Sequence, residues 1–319
     1  MEPPIVIGNS SDLHNLIGEL ERVEHIAIDT ESNSFYAYYE RVCLIQISTV
    51  EKDYIIDPLA VEDIQPLKEV FLDPGIEKIF HAASNDITGL RRDFGFEVAN
   101  LFDTALASKM LGRQHLGLAA ILDHHFGVQL DKKWQRHNWG KRPLSEEQIN
   151  YARLDTHYLI PLRIRLVEEL TEKEIMAQAR EMFGKACAQE SQERVFQPEG
   201  FIRLSGARSL DSVGRRVLRS LYVYRDKEAR RRDRAPFRIF PNEALVRLAA
   251  HRPSSIKEFA RVKGLPRFYR KGRAAYELLE AIREVWENLE KPPSPVEVAA
   301  PDASVTLESR DSGKSPVMR

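Results

Sequence analysis

The sequence predicts an α/β domain over residues 1–185 joined by a linker, 186–205, to a small all-α module over 206–290. Short β-rich apolar runs alternate with helical apolar spacings as far as Leu170, whereas beyond residue 206 only helical spacings remain. Pro236, Pro241, Pro253 and Pro266 punctuate those later helices. Charge divides the chain at the same place. Residues 206–288 carry 21 Lys and Arg against 10 Asp and Glu, although the whole chain has a net charge of −1. A basic module beside an acidic one suggests a nucleic-acid grip next to a cation-binding centre.

The first strand that carries chemistry is His25-Ile26-Ala27-Ile28-Asp29-Thr30-Glu31. Alternation along a strand puts Asp29 and Glu31 on one face, where the apolar run ends. Carboxylates held side by side repel unless a cation lies between them, and hard oxygen ligands suit magnesium or manganese. An aromatic loop follows, Phe35-Tyr36-Ala37-Tyr38-Tyr39, and then two strands, Val42–Ser48 and Tyr54–Pro58, in meander order. Ile64, Leu67, Val70 and Phe71 are spaced for a helix over Leu59–Leu72. Lys78–Ala82 reads as the next strand. Ser84 is the expected cap of a helix striped by Ile87, Leu90 and Phe94, which puts Asp86 in its first turn.

Asn100–Thr104 opens into a helix, Ala105–Leu111, with Asp103 a cap or turn residue, and Leu116–Phe126 forms another helix. His124-His125 lacks a third ligand at a zinc spacing. After a polar loop over Lys132–Arg142, Ser145-Glu146-Glu147-Gln148 is a capping box, starting a helix expected to run to Leu170. It carries Tyr151 and Asp155 one turn apart on one face. From Lys291 onward, Pro, Ser, Asp and Val without periodicity predict a disordered tail over 291–319. Cys43 and Cys187 supply neither a disulfide framework nor a zinc signature. No apolar run approaches the roughly 20 residues of a membrane helix, and Met1–Ser10 is too short in its apolar part for a secretory signal, so a cytoplasmic location with no membrane partner is expected.

Four carboxylates from three elements, Asp29 and Glu31, Asp86, and Asp155, are therefore placed to converge on one cleft. That set suits two divalent ions about 4 Å apart, which activate a water and stabilise the leaving oxygen of an in-line displacement at phosphorus. In this reading Asp29 bridges the two ions. Glu31 and Asp155 complete the first, Asp86 helps hold the second, and Tyr151 orients the attacking water or helps to deprotonate it.

Ile28-Asp29-Thr30-Glu31, His81-Ala82-Ala83-Ser84-Asn85-Asp86 and Tyr151-Ala152-Arg153-Leu154-Asp155 resemble the three exonuclease motifs of the ribonuclease D group of 3′→5′ exonucleases. The run Asn138–Ser145 is similar to that group's linking segment. The resemblance covers about residues 5–170. It implies a ribonuclease-H-like (DnaQ-like) fold with a mixed sheet flanked by helices, magnesium or manganese as cofactor, and the subclass that uses tyrosine. The histidine of the related subclass would fall at Asn150. Leu218–Ala229, Ala235–Pro241 and Val262–Leu265 resemble the HRDC domain found in the same group, where longer members carry two copies and this chain has room for one. His137-Asn138 departs from that group, which more often has a small hydroxyl residue followed by Asp.

The implied activity is 3′→5′ exoribonuclease action on single-stranded 3′ ends, with tRNA precursors the usual substrate. A DNA exonuclease is the second reading, and a nucleic-acid-binding protein with a vestigial exonuclease fold the third. Retention of all four carboxylates and Tyr151 argues against the last. Arg230, Arg231, Arg232 and Arg234 form the densest basic cluster and are the expected contacts to the nucleic-acid backbone.

Overall fold

The computed structural model describes residues 2–188 and 195–290, with side chains described through residue 285. The expected tail over 291–319 lies outside these residues, as do 189–194 of the expected linker.

The first body is one mixed sheet between helical layers. Its strands are β1 (Ile5–Ile7), β2 (His25–Ser32), β3 (Val42–Ser48), β4 (Asp53–Ile56), β5 (Glu77–Phe80) and β6 (Leu101–Asp103), in the order β1-β4-β3-β2-β5-β6. The β2-β3-β4 meander is antiparallel, while β1, β5 and β6 add in parallel at its two sides. The parallel additions require crossovers. Helices α1 (Ser10–Leu20), α2 (Leu67–Leu72) and α3 (Ser84–Phe94) occupy the connections to the parallel strands. Helices α4 (Thr104–Met110), α5 (Leu118–Phe126), α6 (Glu146–His157), α7 (Leu159–Glu172) and α8 (Met176–Ala188) complete this body. Strand β3 is buried along its whole length because elements cover both of its faces.

Three local expectations need correction. The helix expected over Leu59–Leu72 is confined to α2, because Asp57 and Asp63 turn the chain through their carboxylates, accepting from the N–H groups of Leu59 and Gln65, and Pro66 precedes its first residue. The helix expected to run from Ser145 to Leu170 breaks at Tyr158, the residue shared between the ends of α6 and α7. Pro161 explains the break: without an N–H it is tolerated in the first turn of α7 but not inside one continuous helix. Ser84 does not cap α3. Its N-cap is Ala83, with no side-chain cap, and the Asp103 carboxylate accepts from the Ala82 and Ala83 N–H groups instead.

The second body contains α9 (Ser212–Arg231), α10 (Pro236–Ile239), α11 (Asn242–His251), α12 (Ile256–Phe259) and α13 (Arg273–Glu290). It closes a separate apolar core of Val217, Leu218, Leu221, Phe240, Leu248 and Phe259 among others. Helix α8 continues to Ala188, and Phe201 packs into this second core.

The two bodies meet through the aromatic loop after β2. Asp233 accepts from the N–H groups of Tyr38 (3.0 Å) and Tyr39 (2.9 Å), and the Tyr38 hydroxyl donates to Asp226 at 2.9 Å. Ala235 N–H donates to the Tyr36 carbonyl, and the Arg238 guanidinium lies 3.7 Å from the Tyr36 ring centroid. Asp233→Ala strips two backbone donors of their acceptor, a loss of about 1–2 kcal/mol in docking. Hydrogen exchange in the segment 35–39 should accelerate roughly tenfold. Unchanged protection would show that the other contacts hold the loop alone.

Candidate active site

In β2, Asp29 lies opposite Gln46 and Glu31 opposite Leu44 on β3, after which a bulge between Glu31 and Ser32 ends the regular ladder. Both carboxylates therefore share one face at the edge of the paired region. Thr30, between them, turns to α3. Its hydroxyl donates to Asp86 Oδ1 at 2.6 Å and its N–H to the same oxygen at 3.1 Å. This pair of bonds fixes Asp86 beside the Asp29 strand. Thr30 is thus a positioning residue that sequence reasoning missed, although its place between two carboxylates was a usable signal.

Asp86 owes its direction to a second missed device. Between β5 and α3 the chain turns through Ala82, whose φ of 60° is in the left-handed region that disfavours residues with a Cβ. Asp103 holds that turn by accepting from Ala82 and Ala83, and the same carboxylate caps α4 by accepting from Ala105 (2.9 Å) and Leu106 (3.1 Å). The expected capping role of Asp103 is therefore realised at α4, and the same carboxylate also holds the turn that leads into α3.

Helix α6 brings the remaining groups. Its predicted capping box is present, with both Ser145 and Gln148 side chains bonded across the first turn. At its other end, Ser48 Oγ lies 2.7 Å from Thr156 Oγ1 and donates to Asp53 Oδ1 at 2.7 Å. His157 Nδ1 is 2.8 Å from Asp53 Oδ2, and Arg153 stands 3.8 Å from the same oxygen. This buried clasp anchors the turn that carries Asp155 against β3 and β4. Tyr151 stacks on the buried Trp139, with ring centroids 6.1 Å apart and planes 24° apart. Arg142 holds the Trp139 loop by pairing with Asp57 and donating to the Cys43 and Trp139 carbonyls.

Asp29, Glu31, Asp86 and Asp155 lie within one another's electrostatic influence. Burial raises the Asp29 carboxyl well above its ordinary range, and Asp86, Asp155 and Glu31 raise it further. Glu31 is raised by burial, then by Asp155 and Asp86. Burial lifts Asp86 to about 6 against the opposing Thr30 hydrogen bonds, while burial and Asp86 lift Asp155 to about 7. Burial and the carboxylates of Asp155, Glu31 and Asp29 push the Tyr151 hydroxyl upward as well. It therefore stays protonated near neutral pH, which favours orientation over proton abstraction among its two expected roles.

Among the described residues, no three His, Cys, Asp or Glu side chains stand in a ready-made metal-holding arrangement. The donor chemistry nevertheless fits a divalent cation: four hard carboxylates repel one another and have no ion pair among the described residues. A cavity of about 470 Å³ adjoins Tyr151 and Asp155 and is lined also by Trp134, Asn150 and Leu154. That volume is within the range of small-ligand sites.

A family model described as 3′-5′ exonuclease matches residues 4–171, and one described as HRDC domain matches 214–282. The chain is 35% identical over 268 residues to exosome complex exonuclease RRP6 of Saccharomyces cerevisiae, covering 79% of this chain and 37% of that protein. It resembles the crystal structure of Escherichia coli RNase D, an exoribonuclease involved in structured RNA processing, with a TM-score of 0.67 and 29% identity over 89% of this chain and 76% of that one. The chain belongs to the RRP6/RNase D family of 3′-5′ exonucleases. The catalytic core of RRP6 from Trypanosoma brucei gives a TM-score of 0.81 at 28% identity, covering 90% of this chain and 80% of that one. The chain spans about a third of the length of its curated relatives, 37% of the yeast protein and 29% of exosome complex component 10 from Rattus norvegicus. The ribonuclease-H-like sheet and the following helical HRDC domain are thus as the sequence predicts.

The arginine cluster is less open than its sequence suggests. Arg230 donates to the Tyr38 hydroxyl and Asp226, while Arg231 and Arg232 both pair with Glu228. Arg232 also lies over the Phe268 ring at 4.3 Å. Arg234 is exposed and, among the described residues, has no carboxylate partner.

Proposed function

We propose that this chain is a 3′→5′ exoribonuclease that hydrolyses phosphodiester bonds from RNA 3′ ends. The observation that carries this reading is the grouping of Asp29, Glu31, Asp86 and Asp155, all raised by burial and Asp29, Glu31 and Asp155 further by neighbouring carboxylates of the set, beside a nucleotide-sized cleft. Those four residues would hold two divalent ions, magnesium or manganese. Bound there, such ions supply an acidified water and neutralise charge developing at phosphorus. The protein's own part is positional: Thr30 and Asp103 aim Asp86, the Asp53 clasp sets Asp155, and Trp139 fixes the Tyr151 ring. The Tyr151 hydroxyl orients the nucleophile, and the cavity walled by Trp134 and Leu154 seats the terminal nucleotide.

RNA is favoured over DNA by the names of the relatives, which include an exoribonuclease of structured RNA and several exosome components. tRNA precursors fall within the structured RNA class. The exosome names extend the proposal to a role in such a complex. The HRDC domain would add contacts to the nucleic-acid backbone, with Arg234 available directly and Arg230, Arg231 and Arg232 through faces left over from their carboxylate pairs.

The test uses matched 5′-labelled RNA and DNA with magnesium, manganese or EDTA. Stepwise shortening of RNA from its 3′ end, abolished by EDTA, is expected. Equal or faster loss of DNA would overturn the substrate assignment. Binding without cleavage in either metal would overturn the enzymatic one.

A further inference from the structure

The α6-facing side of β3 carries an amide that no part of the mechanism above uses. Gln46 is fully buried, and neither its Nε2 nor its Oε1 meets a hydrogen-bonding partner. A buried primary amide with both ends unpaired destabilises a fold, so its presence calls for a physical reason.

Register gives that reason. Residues directly opposite each other in a sheet point to the same face, and Gln46 lies opposite Asp29 on one side and Ile55 on the other. The adjacent cross-strand pairs on this face are Glu31 with Leu44, and Ala27 with Ser48, which in turn faces Asp53. Leu44 packs in a cluster with Ala152, and Ser48 touches Thr156. Gln46 therefore sits beneath the turn of α6 between Ala152 and Thr156, the turn that contains Asp155. Its amide shares a row with Asp29 and lies under the segment that delivers a second carboxylate.

We infer that Gln46 is a positioning residue of the cation site, donating from Nε2 to the Asp29 carboxylate when that carboxylate turns to hold divalent ions. Resting on the proposed metal-dependent reading, it extends the set from four carboxylates to include an amide that would orient Asp29. Partners behind metal ligands fix the ligand's orientation, and their loss typically weakens metal binding about 10–100-fold. An amide suits this position because it donates without adding charge. A lysine or arginine there would compete with the cations for the carboxylates.

Calorimetric titration of Mn²⁺ into the full chain, compared with Gln46→Met and Gln46→Leu, tests the assignment without using activity. Both variants should fold, with metal-free Tm at or above that of the parent, since an apolar side chain replaces an unpaired amide. Their Mn²⁺ affinity should fall at least about tenfold. Affinity within twofold of the parent in either folded variant would overturn the inference, including the case in which a buried water satisfies the amide. Failure of both variants to fold would overturn it too, because the amide would then be supporting the metal-free fold. Absence of Mn²⁺ binding by the parent chain would overturn the reading of the site itself; binding that the variants match overturns the role of Gln46 alone.

Discussion

Asp29→Asn should abolish RNA hydrolysis, lowering turnover by about 10³-fold or more, roughly 4 kcal/mol of transition-state stabilisation. The same change should make the metal-free chain more stable. Asp29 is crowded by Asp86, Asp155 and Glu31 and partly shielded from water, so replacing its charge with a neutral isostere relieves repulsion. A higher metal-free Tm is expected. Thermal unfolding in EDTA and a labelled-RNA assay in magnesium read the two effects separately. Lost activity with a lowered metal-free Tm would mean that Asp29 serves the fold. Near-normal turnover in the folded variant would remove it from the site. Tyr151→Phe keeps the ring on Trp139 and loses only the hydroxyl, so a milder loss of about 10²-fold is expected.

The second large effect is on stability as a function of pH. The folded-state pKa values of Asp86, about 6, and Asp155, about 7, lie above the ordinary carboxylate value. The native chain thus holds protons that the unfolded chain has released, and this contribution to metal-free stability is greatest near pH 4. It is lost as pH rises through 6 and 7. Divalent ions act in the opposite direction, because they require the deprotonated carboxylates. The stabilisation of Mn²⁺-saturated over EDTA-treated protein should therefore grow between pH 5.5 and pH 8, by on the order of 3 kcal/mol, and the gap between their Tm values should widen with it. Asp155→Asn should flatten that dependence. A metal-induced shift independent of pH would contradict the assignment of these carboxylates as ligands.

What the sequence made legible was whatever depended on short spacing. Alternation put Asp29 and Glu31 on one face, the one-turn spacing joined Tyr151 to Asp155, and the Ser145 capping box marked the start of α6. Features set by distant partners were hidden. Ser84 has the residue type of a cap for α3, but the helix starts from Ala83 without a side-chain cap, and Asp103, from β6, holds the preceding turn. Pro161 was the overlooked local signal that α6 and α7 are separate. The clasp of Ser48, Asp53, Thr156 and His157 joins residues up to 108 positions apart, and neither its members nor Gln46 carry a spacing that marks them. The aromatic loop at Phe35–Tyr39 was visible as composition; its docking on Asp226, Asp233 and Arg238 depends on where the HRDC domain packs.

Calorimetric titration of Mn²⁺ into the metal-free chain at pH 8, with Asp29→Asn and Asp155→Asn alongside, tests directly whether these carboxylates hold a cation. Saturable binding by the parent, reversed by EDTA, is expected, with affinity reduced at least about tenfold in each variant. Parent and variants binding alike, or no binding by the parent, would contradict the claim that these carboxylates form a cation-dependent hydrolytic centre.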